Sequence, residues 1–277
     1  MKKYIKSFAF ASVTAFILNA CADSASINQQ AASSYAQEMG RIRTQGAVDT
    51  TSQTAKRIHR IFNKMVPYAN KENQTGQPFN WQITVIKSKE LNAWAMPGGK
   101  MAFYTGLVDT LKLNDDEIAT VMGHEMAHAL KEHGKAKANF GMATGIAAQL
   151  GHIALSTVVG SDLSGVAIGL TKDFALDKPY SRSAETEADE VGLLLMAKSG
   201  FNPQFAPGLW DKMRKASGGS KGTLDALAST HPTDEDRQEN LRRLLPEAMK
   251  LYEASKNKNF CKIGRTLFLQ KLDTQAH

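Results

Sequence analysis

The stretch ATVMGHEMAHALKEHG, residues 119–134, decides the fold, because it carries His124 and His128 four residues apart in a run without proline. On an α-helix this spacing places both imidazoles on one face, one turn apart, where they can bind the same metal ion. Glu125 follows the first histidine, and its carboxylate can reach a water on that metal without binding the metal itself. The stretch therefore predicts a helical metal site with a general base beside it.

The start of this helix and the role of a third histidine follow from spacing. Asn114 as N-cap and Glu117 three residues later predict a capping box, so the helix begins near Asp115. His133 lies five residues after His128, which is about 140° further around an ideal helix. We therefore expect His133 to point away from the ion, and the third ligand to come from elsewhere.

The segment YSRSAETEADEVG, residues 180–192, offers that ligand. Glu185 and Asp189 stand one helical turn apart beside an apolar stripe. A carboxylate ligand would complete a set of two histidines and one glutamate, and a second carboxylate can accept the N–H of a ligating imidazole. Spacing alone leaves Glu187 with Glu190 as an alternative pair.

Three segments in this order and spacing carry a family resemblance: HEMAH, SRSAETEADEVG and STHPTDEDR, the last covering residues 229–237. They resemble the zinc peptidases of the HtpX and CAAX-prenyl-protease family, and most closely its periplasmic lipoprotein branch, which is LoiP- and BepA-like. The resemblance extends from about residue 55 to 245. It implies an α+β, mostly α, zincin-like (gluzincin) metallopeptidase domain with a small antiparallel sheet.

The same resemblance assigns the metal site. It makes Glu185 the third ligand, with His124 and His128, of one Zn²⁺ per chain, and it makes Asp189 the partner of a ligand. It places His231 near the zinc, where the histidine either donates to the oxyanion or fills the open position of a resting enzyme. Arg237 matches an arginine of the family whose role the sequence does not explain.

A change of period predicts the sheet. The segments WQITVIKS, LNAWAM and KMAFYTGLV predict three strands between residues 81 and 105, with a tight hairpin at Pro97–Gly99. The resemblance gives the second strand a role, as the edge strand that pairs with a substrate backbone through Asn92, Ala93, Trp94 and Ala95. An exposed strand edge suits this role, because it presents unpaired N–H and C=O groups to an extended peptide.

Residues 1–20 have the charged start and short apolar run of a secretory signal peptide. The tetrad LNAC that ends at Cys21 resembles a lipobox, which would make Cys21 the lipid-bearing first residue of the mature chain. We therefore expect a protein lipid-anchored on the periplasmic side of the bacterial outer membrane. The alternative is cleavage at the A-x-A of Ala20 and Ala22, which would free a soluble periplasmic protein. With Cys21 lipidated, Cys261 has no disulfide partner.

The rest of the chain divides by composition. Residues 21–53 read as a tether with a weak helix, 54–250 as the zinc metallopeptidase domain, and 251–277 as a C-terminal tail. The domain opens with an amphipathic helix that Pro67 is expected to end. The uncharged stretch 138–161, with His152, reads as a buried or half-buried helix pair rather than a segment that dips into a membrane.

The predicted function is a zinc endopeptidase of the cell envelope. The family's role in quality control indicates unfolded or misassembled envelope proteins as its substrates. The alternative is a chaperone-like factor that works with the outer-membrane assembly machinery and holds its protease site mostly shut. The formal charge of +7, or +4 without the three leader lysines, comes without a basic run interleaved with aromatic residues, so no nucleic acid partner is expected. Nothing in the sequence indicates an oligomeric state.

Overall fold

The computed structural model describes residues 22–141, 179–217, 231 and 235–275. The leader with Cys21, and His152 with most of the uncharged stretch, lie outside these residues. The described α-helices are α1 (Ser24–Thr44), α2 (Gln53–Glu72), α3 (Thr105–Leu111), α4 (Asp115–Leu130), α5 (133–141), α6 (Arg182–Lys198), α7 (Ala206–Ser217) and α8 (Glu235–Gln275). Short 3₁₀ turns lie at Pro97–Gly99 and Pro203–Phe205.

The sheet has the three strands that the sequence predicts, but it is mixed rather than antiparallel. The strands β1 (Gln82–Ile86), β2 (Ala93–Met96) and β3 (Lys100–Tyr104) lie in the order β1-β3-β2. β2 and β3 form the antiparallel hairpin, whereas β1 runs parallel to β3. β3 is buried along four of its five residues, so the chain crosses from β1 to the far edge and returns to place this apolar strand in the centre.

The predicted hairpin turn is confirmed. Gly98 and Gly99 have φ of 75° and 82°, a region that residues with a Cβ seldom enter. A Cβ on Gly99 would also lie 2.7 Å from the ring of Trp81. Both glycines are therefore needed for β2 to fold back onto β3.

The structure corrects the interpretation of residues 21–53 as a tether with a weak helix. α1 is a 21-residue helix that is capped by the carboxylate of Asp23. The apolar stripe of this helix is fully buried. That stripe comprises Ile27, Ala31, Tyr35, Met39 and Ile42. It packs on residues of all three strands and on Ala138 of α5, so the buried side chains of α1 form part of a second core cluster.

The expectation that Pro67 ends the first helix of the domain is also wrong. α2 continues through Pro67 to Glu72. An interior proline costs about 3 kcal/mol, because it removes a backbone donor and crowds the preceding turn. Met65 and Ala69, one turn apart on either side of Pro67, are fully buried in the main core, and this packing offsets the loss.

α4 begins as the sequence predicts. The Glu117 N–H donates to Asn114 Oδ1 and the Asn114 N–H donates to Glu117 Oε2, each at 2.9 Å, which completes the capping box. α4 lies in the middle of the main core, and nearly all of its residues are buried. Its side chains are therefore held in fixed positions by neighbours on every side.

α4 and α6 cross at two glycines. A Cβ on Gly192 would lie 2.7 Å from the carbonyl carbon of Gly123, and a Cβ on Gly123 would lie 2.6 Å from the carbonyl oxygen of Gly192. The two backbones thus touch, which side chains at these positions would prevent. This contact brings His124 of α4 next to Asp189 of α6.

α8 packs along α6 and supplies Arg237, Gln238 and Leu241 to the interior. It continues as one helix to Gln275, so residues 251–275 are not the separate tail that composition indicates. None of the helices in the described parts of the chain combines the length and the apolar character needed to cross a membrane.

Candidate metal centre

The histidines of the central helix lie as their spacing predicts. His124 and His128 are 2% and 1% exposed, and their Nε2 atoms approach each other to 3.0 Å. Glu125, between them in sequence, is 2% exposed. Burial of three polar side chains on one helix is costly unless each finds a partner, and these partners come from α6 and His231.

Glu185 of α6 faces both histidines. Its Oε2 lies 3.4 Å from His124 Nε2, and its Oε1 lies 3.5 Å from His128 Nε2. The alternative pair that spacing leaves open does not reach this cluster. Glu187 is 45% exposed, and Glu190 accepts a hydrogen bond from α8.

His231 completes the cluster. Its Nδ1 lies 3.2 Å from His124 Nε2 and 3.0 Å from Glu185 Oε1. Its Nε2 lies 3.5 Å from Glu125 Oε1. The prediction that this histidine approaches the metal site therefore agrees with its position.

These residues fit a tetrahedral metal ion. The ligand atoms of His124, His128, Glu185 and His231 all lie within 4.8 Å of one another, and all four side chains are buried. Ligand atoms about 2.0–2.1 Å from a tetrahedral zinc are separated by roughly 3.4 Å, close to the 3.0–3.5 Å between these atoms. Glu125 Oε1 is buried and accepts no hydrogen bond from the described residues, so it is available to a water at the same place.

A buried arginine, whose role the sequence does not explain, contacts the carboxylates of the site. Arg237 Nε lies 2.6 Å from Asp189 Oδ2, and its Nη1 lies 2.9 Å from Glu185 Oε2. Asp189 Oδ1 in turn lies 2.9 Å from His124 Nδ1. The guanidinium also covers the ring of Trp210, which meets His124 edge-on. The need of two buried carboxylates for a cation is the signal that could have identified Arg237.

The environment separates the protonation states of these groups. Burial raises the pKa of Glu125, which suits a group that must accept a proton near neutral pH. Burial opposes the charged form of His124, but hydrogen bonds to Asp189 and Glu185 outweigh it and raise the pKa of His124 to about 9. Burial lowers the pKa of His128 well below its usual value. When no metal is bound, His124 is therefore favoured in its protonated form and His128 in its neutral form.

The helical projection predicts that His133 points away from the site, but its side chain instead contacts His128. α4 ends at Leu130, and Glu132 adopts a left-handed φ of 53°, so His133 starts a new helix instead of extending the old one. Its Nδ1 lies 2.9 Å from His128 Nδ1, on the side of that ring opposite to the cluster. His133 thus contacts a proposed ligand without belonging to the group of ligand atoms.

Tyr180, which sequence reasoning missed, covers the other face of His128. The two rings stack with centroids 4.1 Å apart and planes 21° apart. Burial raises the pKa of Tyr180, so its hydroxyl stays protonated. It precedes α6 and lies within the quoted motif segment, but a single tyrosine there carries no recognisable signal.

The edge strand β2 packs against α4, the helix that carries Glu125. The Tyr104 N–H donates to the Asn92 carbonyl, so in this antiparallel pair Asn92 and Trp94 direct their backbone groups to β3. Ala93 and Ala95 therefore direct theirs away from β3, and both residues are buried. Of the four residues predicted to bind a substrate strand, these two direct their backbone groups away from β3, and substrate binding there stays a prediction.

Comparison with known proteins places the chain in a family. Residues 52–245 match the model of peptidase family M48. The chain is 37% identical over 175 residues to the mitochondrial metalloendopeptidase OMA1 of Schizosaccharomyces pombe, a match that covers 63% of this chain and 50% of that protein. It is 29% identical to two proteins of Escherichia coli. These are the metalloprotease YcaL, with 70% of this chain and 74% of YcaL covered, and the metalloprotease LoiP, with 69% and 70%.

These matches confirm the resemblance inferred from the three motifs. The chain spans about half the length of the fission yeast relative, and between 34% and 58% of the next two mitochondrial relatives. The shared part contains every described residue of the cluster.

Proposed function

Since the chain belongs to peptidase family M48, we propose that it is a zinc-dependent endopeptidase whose active site is the buried cluster around His124. The observation that carries this proposal is the convergence of three imidazoles and one carboxylate beside Glu125, whose Oε1 has no hydrogen-bond partner among the described residues. Such a set of nitrogen and oxygen ligands suits zinc.

In this proposal His124, His128 and Glu185 hold the ion, and Asp189 orients His124 through its Nδ1–H. A bound zinc ion would supply Lewis acidity and lower the pKa of water to about 7. Glu125 accepts the proton of the attacking water and passes it to the amine that leaves. Its buried position keeps the carboxylate from being solvated and so preserves its basicity.

An extended peptide would bind along β2. The outward groups of Ala93 and Ala95 offer donors and acceptors in the pattern of an antiparallel strand. Because β2 packs against α4, a substrate paired there would place its backbone beside the helix that carries the general base. Pairing of this kind recognises the backbone of the substrate rather than its side chains, which agrees with unfolded proteins as the substrate class.

In this proposal His231 is the fourth ligand of a resting state. Its Nδ1 is as close to Glu185 and His124 as the ligands are to one another. A histidine bound there would exclude the water that the reaction needs. We therefore favour a resting state that His231 holds closed, over a role in which it donates to the oxyanion.

The test is to replace Glu125 with Gln. The purified variant should keep one zinc per chain and lose cleavage of casein, because the amide cannot accept the proton. Glu185→Ala should lose the metal, while Glu187→Ala, whose side chain is outside the cluster, should keep it. Stoichiometric zinc in Glu185→Ala would reject the ligand assignment, and undiminished cleavage by Glu125→Gln would reject the peptidase mechanism.

The same variant separates protease work from the chaperone-like alternative. If the cell needs the proteolysis of misassembled envelope proteins, Glu125→Gln should be as defective as complete deletion. A mild defect would indicate that assembly, not cleavage, is the main activity.

For the cellular location we propose a lipid anchor at Cys21 on the periplasmic side of the outer membrane. The tetrad LNAC supports it. Ala22, the next residue, exchanges two hydrogen bonds with the side chain of Asn139, which would hold an anchor beside α5. Cys21→Ser should abolish labelling with palmitate, and a mature chain that begins unacylated at or after Cys21 would favour the soluble form.

A further inference from the structure

We propose that His133 is a positioning residue that orients His128 toward the metal, and that Glu187 fixes the tautomer of His133. This rests on the proposed role of His128 as a ligand. Three contacts carry it: His128 Nδ1 to His133 Nδ1 at 2.9 Å, His133 Nε2 to Glu187 Oε2 at 3.1 Å, and Lys131 Nζ to Glu187 Oε1 at 2.8 Å.

The direction of each hydrogen bond follows from the first. His128 turns Nε2 toward His124 Nε2 and Glu185, so Nε2 must be free of a proton to bind an ion, and Nδ1 carries the N–H. A donor at His128 Nδ1 needs an acceptor, and the atom within reach is His133 Nδ1. His133 is then protonated on Nε2, which donates to the Glu187 carboxylate.

The two metal-facing histidines are therefore oriented by different chemistry. His124 donates to a buried carboxylate that Arg237 neutralises. His128 donates to a neutral imidazole, and the carboxylate that completes this arrangement lies one residue further out, on a side chain 45% exposed. The second arrangement reaches the surface while the first stays in the core.

The backbone is built to bring His133 back to this place. Glu132 takes the left-handed conformation between α4 and α5, at φ 53°. A continued α-helix would carry residue 133 away from His128, as the sequence projection assumes. The break costs a strained residue, and its result is that a 9% exposed imidazole contacts the ligand.

His133 is also buried, so its replacement could weaken zinc binding merely by disturbing the packing. A packing role predicts equal losses for any replacement, whereas an acceptor role predicts that a replacement with an acceptor atom retains zinc binding. Two variants separate the possibilities. In His133→Asn the side-chain Oδ1 stands the same number of bonds from Cβ as Nδ1 does, so it can accept from His128 but cannot reach Glu187. In His133→Leu the volume is kept and the acceptor is lost.

The measurement is the zinc dissociation constant of the full chain by competition with a chromophoric chelator, together with the visible spectrum of the cobalt-loaded protein. We expect His133→Leu to weaken zinc binding by roughly 10- to 100-fold and to alter the cobalt spectrum. His133→Asn should recover most of the affinity. Equal zinc affinity in the wild type and His133→Leu, or equal losses in the Leu and Asn variants, would overturn the proposal.

A surface variant keeps the test valid if His133→Leu does not fold. Glu187→Ala changes a half-exposed side chain, and it should weaken zinc binding severalfold while leaving the site filled at stoichiometric metal. It should have no further effect in the His133→Asn background, where the Nε2–H that meets Glu187 is absent. The control is Glu190→Gln, since Glu190 bonds to Asn240 of α8.

Additive losses of zinc affinity in Glu187→Ala and His133→Asn would reject the proposed chain of hydrogen bonds from His128 through His133 to Glu187, called the relay below. Failure of this proposal is distinct from failure of the proposed function. A wild-type chain without stoichiometric zinc would reject the peptidase assignment, whereas a zinc-loaded wild type with an indifferent His133 rejects the relay alone.

Discussion

At the scale of single residues, Arg237 links the two carboxylates on which the site depends. Its guanidinium contacts Glu185 and Asp189 at 2.9 and 2.6 Å, in a region where the three side chains are at most 3% exposed. An ionised Asp189 is needed to accept the N–H of His124, and hydrogen bonds from His124 and Arg237 outweigh burial to lower the pKa of Asp189. Arg237 thus acts on His124, a proposed metal ligand, through Asp189.

Replacing Arg237 with Met should destabilise the metal-free protein by about 3–5 kcal/mol, because two buried carboxylates lose their cation. The loss should be smaller with zinc bound, since the ion then compensates Glu185. Urea unfolding with excess chelator and with excess zinc measures both. Arg242→Met is the control, because Arg242 is 49% exposed and 4.0 Å from Asp211. Equal stability of the two variants without metal would contradict the role given to Arg237.

Helical spacing does not distinguish Glu185 from Glu187 as the third metal ligand. Helical spacing identifies both as members of carboxylate pairs, and it cannot tell which face of α6 meets α4. The crossing at Gly123 and Gly192 settles this, because it fixes the rotation of α6 about its axis. A contact between two glycines in separate helices cannot be predicted from one sequence. The family resemblance is therefore needed to identify Glu185 as the third ligand.

His231→Ala tests whether the histidine closes the site. If His231 fills the fourth position, its removal should raise the rate of casein cleavage, because water gains access. If it donates to the oxyanion, removal should cost on the order of 2.7–4 kcal/mol, a loss of roughly a hundredfold or more in rate. We expect the rise. His59→Ala, on the half-buried side of α2, is the matched histidine control. A hundredfold loss would assign His231 to catalysis instead.

At the scale of elements, the contact of α4 with α6 carries the geometry of the site. Gly192→Ala should destabilise the protein by about 1–3 kcal/mol despite the better helix propensity of alanine, because the new Cβ would lie 2.7 Å from Gly123. Zinc affinity should fall with stability, since the helices that supply His124 and Glu185 are pushed apart. Thermal unfolding and metal titration measure the two effects.

Gly208→Ala provides the control for this prediction. It lies in α7 and a Cβ there meets nothing within 4 Å, so alanine should stabilise the protein by up to about 1 kcal/mol. A Gly192 variant that behaves like the Gly208 variant would show that the helices can separate without cost.

The elements themselves divide by the kind of signal that specifies them. The capping box of α4 and the hairpin at Pro97–Gly99 are local, and sequence predicts both. The passage of α2 through Pro67 and the parallel pairing of β1 depend on what packs around them. Ala69 is held by the core, and β3 is drawn to the centre of the sheet. Neither effect is encoded within a window of a few residues.

At the scale of the whole molecule, the folded unit is larger than the part that matches the family model. That match begins at residue 52, yet α1 lies against the sheet whose strand β2 is the proposed substrate edge. The Tyr35 hydroxyl contacts Thr84 Oγ1 at 2.6 Å and donates to the Met101 carbonyl at 3.0 Å, and the Tyr35 ring meets Trp94 edge-on. Alanine and serine are common in α1, so its composition resembles a linker although its buried stripe is continuous.

Two alanines of α1 allow a direct test of whether this helix is part of the fold. Ala31 is fully buried between α1 and the sheet, whereas Ala36 is exposed on the same helix. Ala31→Glu places a charge in an apolar cluster and should cost about 3–5 kcal/mol, because no cation is there to compensate it. Ala36→Glu should change stability by less than about 0.5 kcal/mol. Urea unfolding followed by tryptophan fluorescence reports the difference, since Trp94 lies in the same cluster. Equal midpoints for the two variants would mean that α1 is the loose tether that its composition predicts. A large separation would make α1 a structural support of the substrate edge.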